Sequence, residues 1–222
     1  DYGDCYFDHG HPLEIPARIT DHIRTILKGG AKSLAIGGDH FITLPILRAY
    51  AEVHGKISIV HFDAHADTWP DDGEEINHGT MFTRAVREGL VDPGRSVQIG
   101  IRTIADDWGF NIIDAPGVHD MGPGPVVERV KEIVGQNKAY MTFDIDCLDP
   151  AFAPGTGTPV SGGLSSYQAL AIIRGLGQLD WVGMDIVEVA PAYDHAEITA
   201  IAAATIAHDW LTLLAERLPP RP

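Results

Sequence analysis

Residues 61–67 read HFDAHAD. Asp63, His65 and Asp67 recur at every second position behind an apolar run. Alternate side chains of an extended chain point to the same side, about 6.5–7 Å apart, so these three converge on one space. The stretch DIDCLDP, 144–150, repeats the pattern with Asp144 and Asp146, and GGDH, 37–40, contributes His40. Two such groups can each hold one of two metal ions about 3.5–4 Å apart. Four close aspartates repel one another when ionised, and two divalent cations cancel their charge. Carboxylate oxygen with some imidazole and no thiolate is a hard donor set that suits Mn²⁺ better than a structural zinc, although spacing alone also admits zinc or iron. Any one of these motifs alone is weak, because aspartates at strand ends commonly cap helices. Three of them, each closing a separate predicted strand, point to metal.

The elements that must position them alternate along the chain. Short runs, apolar on both faces, read as strands of a covered parallel sheet at 33–36, 57–62, 96–101, 111–113, 139–143 and 181–187. Ile15, Ile19, Ile23 and Ile26 recur at helical spacing, and Gly29-Gly30 supplies a stop. Further helices are expected at 43–53, 81–88, 126–134 and 165–174, with GPGP at 122–125 as the loop before one of them. The last helix is predicted to open at Asp194, with Glu197 three residues on in a capping-box spacing. It continues through ITAIAAATIAHDWLTLL, apolar nearly all round, and so belongs against the sheet or another subunit. The order implies an α/β fold, three-layer α/β/α with a mostly parallel central sheet. In such sheets ligands gather at the carboxyl ends of the strands, where the GGDH, DAHAD and DIDCLDP motifs and Glu188 all fall.

Composition narrows the function classes. The chain has 222 residues, 45% hydrophobic and 21% charged, with a net charge of −15, which argues against nucleic acid as a partner. No run approaches the roughly 20 apolar residues expected of a membrane span, so no membrane partner is expected. Cys5 and Cys147 are too few for a disulfide scaffold, and a cytoplasmic location is the expectation. A single domain over 1–222 is expected, beginning inside structured sequence and so lacking part of its N-terminus. His9, His11, His54, His195 and His208 read as surface or satisfied histidines, and Asp39, Asp149 and Trp69 as supporting residues.

The stretches SLAIGGDHFITLPILRAY, IVHFDAHADTW, HGTMF, SVQIGIRT, TFDIDCLDPAFAPGTGTPVSGGLS and VGMDIVEVAPAYDHAEITAIAAAT occur in an order and at spacings that resemble the ureohydrolase family, the arginases, agmatinases and their relatives. The resemblance runs from about Asp1 to the C-terminal helix. It implies two Mn²⁺ ions per chain, one held by His40, Asp63, Asp67 and Asp144, the other by Asp63, His65, Asp144 and Asp146. It implies that Glu188 holds a substrate guanidinium, that His78 shuttles protons, and that the chain forms a homotrimer or homohexamer. Family members carry several tens of residues before the point matching Asp1.

The chemistry implied is guanidinium hydrolysis by water activated between two cations, with Asp67 receiving the proton and passing it to the departing amine. The loop TWPDDGEEIN, 68–77, carries Asp71, Asp72, Glu74 and Glu75, which would repel a carboxylated substrate and tolerate a second amine. The expected substrate is a small cationic guanidine, agmatine, cleaved to putrescine and urea. A guanidino-acid amidinohydrolase and a non-catalytic metal-bound scaffold are the alternatives. All of this requires the six ligand candidates to meet in the folded chain.

Overall fold

Six short strands, the central four nearly buried on both faces and the two edge strands partly exposed, pair in parallel throughout a computed structural model that describes residues 1–71, 73 and 77–217. They are β1 (Leu34–Ile36), β2 (Ser58–Phe62), β3 (Val97–Ile99), β4 (Asn111–Ile113), β5 (Lys138–Asp144) and β6 (Asp180–Val187), arranged in the order β1-β6-β5-β2-β3-β4. Parallel strands need crossover helices, and these cover both faces. Helices α1 (Ile15–Lys28), α2 (Thr43–His54) and α3 (Met81–Arg87) pack on one face around Leu44, Tyr50, Ile59 and Tyr140. On the other lie α4 (Ala115–Met121), α5 (Pro123–Val134), α6 (Ser166–Gly175) and α7 (Ile198–Ala215), around Phe62, Phe143, Trp181 and Trp210. The three-layer α/β/α reading is the fold observed.

The strand order reverses between β2 and β5. The chain leaves β2 toward β3 on one side and leaves β5 toward β6 on the other, so the loops beyond these two neighbouring strands diverge and open a crevice. The register pairs Phe62 with Phe143. Asp63 and Asp144 therefore stand side by side at the mouth of that crevice.

Several boundaries differ from the sequence reading, each for a local reason. Asp114 accepts a hydrogen bond from Gly117 N–H at 2.8 Å and caps α4, a seven-residue helix too short to show a periodic pattern. GPGP is not a loop, because Pro123 occupies the first turn of α5, where its missing N–H costs nothing. The last helix opens at Ile198, not at Asp194. Ala196 and Glu197 adopt left-handed backbone, with φ of 53° and 59°, and Asp194 reaches across them to accept from Thr199 and Ala200 N–H at 2.9 and 3.0 Å. The capping box actually present is Ser165 with Gln168 at the start of α6. By length and composition α7 is apolar enough to cross a membrane, contrary to the reading of the sequence; here it packs against α6 and β6, with Asp209 paired to Arg174 of α6 at 2.7 Å.

One glycine in β6 is required by a close approach. A Cβ at Gly183 would fall 2.5 Å from Cζ of Tyr50 and 2.8 Å from the Tyr140 ring. Both rings are fully buried, and Tyr50 Oη is held by Ser33, so neither can swing away. Gly183→Ala is expected to destabilise the fold by about 1–3 kcal/mol through overpacking, read as a lower denaturation midpoint with an unchanged slope.

Candidate metal centre

Asp63 and Asp144 each turn the chain behind them. Asp63 Oδ1 accepts the N–H of His65 at 2.6 Å, and Asp144 Oδ1 accepts the N–H of Asp146 at 2.8 Å. Each tight turn carries the next candidate ligand back over the strand end, which is how a two-residue spacing becomes a convergence. On the neighbouring element, Asp39 accepts from Phe41 N–H at 2.8 Å and starts the single 3₁₀ turn that presents His40.

The six donors fall into two sets that share Asp63. Nδ1 of His40 lies 3.1 Å from Asp63 Oδ2, 3.1 Å from Asp67 Oδ2 and 3.2 Å from Asp144 Oδ2. Nδ1 of His65 lies 3.3 Å from Asp63 Oδ1 and 3.1 Å from Asp146 Oδ2. The two oxygens of Asp63 thus face different sets. Donors about 2.1 Å from a hard divalent ion and at right angles around it stand about 3.0 Å from one another, close to the spacings here. His40 Nδ1 is buried without a hydrogen-bond partner, an orphan that a cation would satisfy. The residues fit a pair of divalent ions.

Electrostatics point the same way. Burial pushes the Asp144 carboxyl well above its usual range, reinforced by the charges of Asp63 and Asp146. Burial and Asp63 likewise raise Asp67. Burial also acts on Asp63, but neighbouring His61, His40 and His65 outweigh it and hold that carboxyl well below the usual range. Burial would lower His40, yet the carboxylates of Asp144, Asp63 and Asp67 carry it well above 6.5. His65 is pushed up to about 10, because Asp146 and Asp63 overcome its partial burial. Without cations the cluster retains protons.

Beside these sets lies a rim. His78 Nδ1 is 2.8 Å from Asp39 Oδ2, and Glu188 Oε1 accepts the N–H of His40 at 2.6 Å. Donor atoms of Asp39, His78 and Glu188 all lie within 4.8 Å of one another. Asp67 and Glu188 adopt left-handed backbone, with φ of 52° and 64°, an outlying conformation that concentrates at functional positions. Desolvation works against the His78 imidazolium, but Asp39 raises its pKa overall. The acidic loop differs from its reading. Asp71 is turned inward, 2.7 Å from Arg84 Nη2 and 3.6 Å from Arg87 Nη1, so its charge is already matched. Asp72, Glu74 and Glu75 lie outside the described residues.

Comparison with known proteins agrees with this geometry. The family model described as "Arginase family" matches residues 1–212. The chain belongs to the arginase family. It is 59% identical over 217 residues to an agmatinase from Chromobacterium violaceum, an alignment covering 96% of this chain and 67% of the relative. The structure is similar to that of a hypothetical agmatinase from Burkholderia thailandensis, with 60% identity and a TM-score of 0.96, covering 98% of this chain and 70% of the other. It is also similar to a proclavaminate amidino hydrolase from Streptomyces clavuligerus, with 42% identity and a TM-score of 0.88, covering 96% and 72%.

The arginase family is binuclear and metal-dependent, and among the described residues two groups of largely buried donors meet at this crevice. Several supporting residues of this arginase-family site went unread in the sequence. His61 donates from Nε2 to Asp63 Oδ2 at 2.7 Å, and its Nδ1 accepts from Gln98 Nε2 at 3.1 Å. Both ring nitrogens are engaged, so His61 orients a donor and is not one itself. The alternation that exposes Asp63 and His65 reaches His61 when read one step backward. Thr158 donates to Asp146 Oδ2 at 3.1 Å. Arg102 donates to the carbonyls of Asp146 and Val160 at 2.7 and 2.6 Å, tying the Asp146 turn to the loop that carries Thr158; no motif in the sequence announces it.

The retained protons make ion uptake pH-dependent. His40 and His65 have raised pKa values in the metal-free chain, so a cation must displace protons that are bound at pH 7. Mn²⁺ affinity is expected to rise between pH 6.5 and 8.5, with protons released on binding. Calorimetric titration in buffers of different ionisation enthalpy would measure both.

Proposed function

We propose that this chain hydrolyses the guanidinium group of agmatine to putrescine and urea, with Mn²⁺ as its metal. The observation that carries the reading is the meeting of both donor sets with Glu188 and His78 at one strand-end crevice, in a chain 59% identical to an agmatinase. Two bound cations would supply the nucleophile by lowering the pKa of water from about 15.7 toward about 7.

The protein's own groups would do the rest. His40, Asp63, Asp67 and Asp144 would hold one ion, and Asp63, His65 and Asp146 the other, with Asp144 reaching both as the family resemblance implies. Asp67, buried and held near its strand end by strained backbone, takes a proton from the attacking water and returns it to the departing amine. Glu188 presents a planar carboxylate to the planar guanidinium, a bidentate match that orients the carbon for attack. His78, half exposed and anchored by Asp39, exchanges protons with bulk water. Self-association into a trimer or hexamer and a cytoplasmic setting belong to the same proposal. Ile198, Ile201 and Leu211 on the exposed side of α7 support the first.

A guanidino-acid substrate is the second reading. It is favoured by the 42% identity to a proclavaminate amidino hydrolase and by the pairing of Asp71 with Arg84 and Arg87, which removes one charge that would repel a carboxylate. A non-catalytic scaffold is disfavoured, since the chain retains His78 and Glu188 beside both donor sets. Coupled urea release with agmatine, arginine and 4-guanidinobutyrate separates the three. Agmatine is expected to give the highest kcat/KM, and His78→Ala to lower kcat by about 10²–10⁴-fold. Faster turnover of 4-guanidinobutyrate would replace the substrate, and Mn²⁺ uptake without urea from any guanidine would replace the enzyme.

A further inference from the structure

One rung below the ligands, four buried polar side chains lie in register across the sheet. Gln98 of β3 pairs with His61 of β2, His61 with Thr142 of β5, and Thr142 with Asp185 of β6. All four are fully buried. A polar row through the middle of a covered parallel sheet is costly unless its groups are satisfied; Gln98 Oε1 lacks a partner, while the bonds along the row from His61 to Asp185 run in a fixed direction. Asp185 receives three hydroxyls, from Thr142 at 2.7 Å, Thr43 at 2.9 Å and Tyr140 at 2.9 Å. The single hydroxyl proton of Thr142 is committed to Asp185. Toward His40 Nε2, 2.8 Å away, Thr142 therefore has only a lone pair to offer. It accepts from Nε2–H, which leaves the Nδ1 lone pair of neutral His40 facing Asp63, Asp67 and Asp144. The other end of the row works in parallel, since Gln98 donates to His61 and His61 donates to Asp63 Oδ2. His40 and Asp63 Oδ2 belong to the same donor set. The second set leans on different groups, with Asp146 held by Ala64 N–H at 3.0 Å and by Thr158.

We infer that Thr142, its hydroxyl proton committed to Asp185, is a positioning residue that fixes the tautomer and orientation of His40, so that this buried contact sets the affinity of the His40 ion site separately from the His65 site. This rests on the reading of the six residues as metal ligands. Outer-shell partners of this kind typically change metal affinity about 10–100-fold.

The test is Mn²⁺ titration of metal-stripped protein, with free Mn²⁺ followed by its electron paramagnetic resonance signal, for wild type, T142S, T142V and T142A. Thermal melting of each metal-free form is recorded alongside. Wild type and T142S, which keeps the hydroxyl, are expected to bind two ions with equal affinity. T142V and T142A are expected to bind one ion as wild type does and the other about 10–100-fold more weakly. Wild-type affinity for both ions in T142V, or equal weakening of both, would overturn the inference while leaving the ligands standing. Loss of the metal-free fold in both T142V and T142A would overturn it as well, since the row would then serve the fold and not the ion. Wild type taking up no Mn²⁺ would remove the ligand reading itself.

Discussion

Four aspartates converge at the ends of two adjacent parallel strands and the turns that follow, in a crevice largely closed to water. This crowding of like charge governs the rest of the centre. Carboxylates at such spacing cannot all ionise without positive charge among them, and the molecule answers in two ways. In the metal-free state, histidines and retained protons supply the compensation, with Asp63 kept ionised and Asp144 and Asp67 pushed toward their neutral forms. With divalent ions bound, the same oxygens become ligands. In both states Nε2 of His40 is held by Thr142, which keeps its Nδ1 turned toward the carboxylates.

The sheet topology makes the crowding possible. Strands β2 and β5 are neighbours whose onward connections diverge, so the ends of both are free to carry ligands while the helices close over the flanks. The polar row beneath extends the site into the core. It replaces apolar packing on four central strands with directed hydrogen bonds, and Phe82 covers it, its ring 4.6 Å from that of His61 and 5.8 Å from that of His40.

Much of this was legible in the chain itself. Ligand candidates separate by twos, and strands alternate by twos, so Asp63, His65, Asp144 and Asp146 announce a common direction. The strand order was not legible, because apolar runs of three to eight residues carry no record of which neighbour they choose. Thr142 and Asp185 were hidden for a related reason. They lie inside runs that read as continuous core, and only the cross-strand register shows that they touch. Asp194 misled because the left-handed pair Ala196 and Glu197 moved the helix start away from its cap. Asp71 misled in the opposite sense, since its partners Arg84 and Arg87 lie thirteen and sixteen residues further on.

The left-handed backbone at Asp67 and Glu188 has a further consequence. Glycine adopts that conformation without the side-chain strain that aspartate and, more so, glutamate meet there, so a sequence selected for stability alone would not keep these two side chains. Strain at each such position costs on the order of 1–3 kcal/mol. The chain is therefore less stable than its fold permits at the places where a carboxylate must face the crevice, and thermal robustness and turnover pull these two positions in opposite directions.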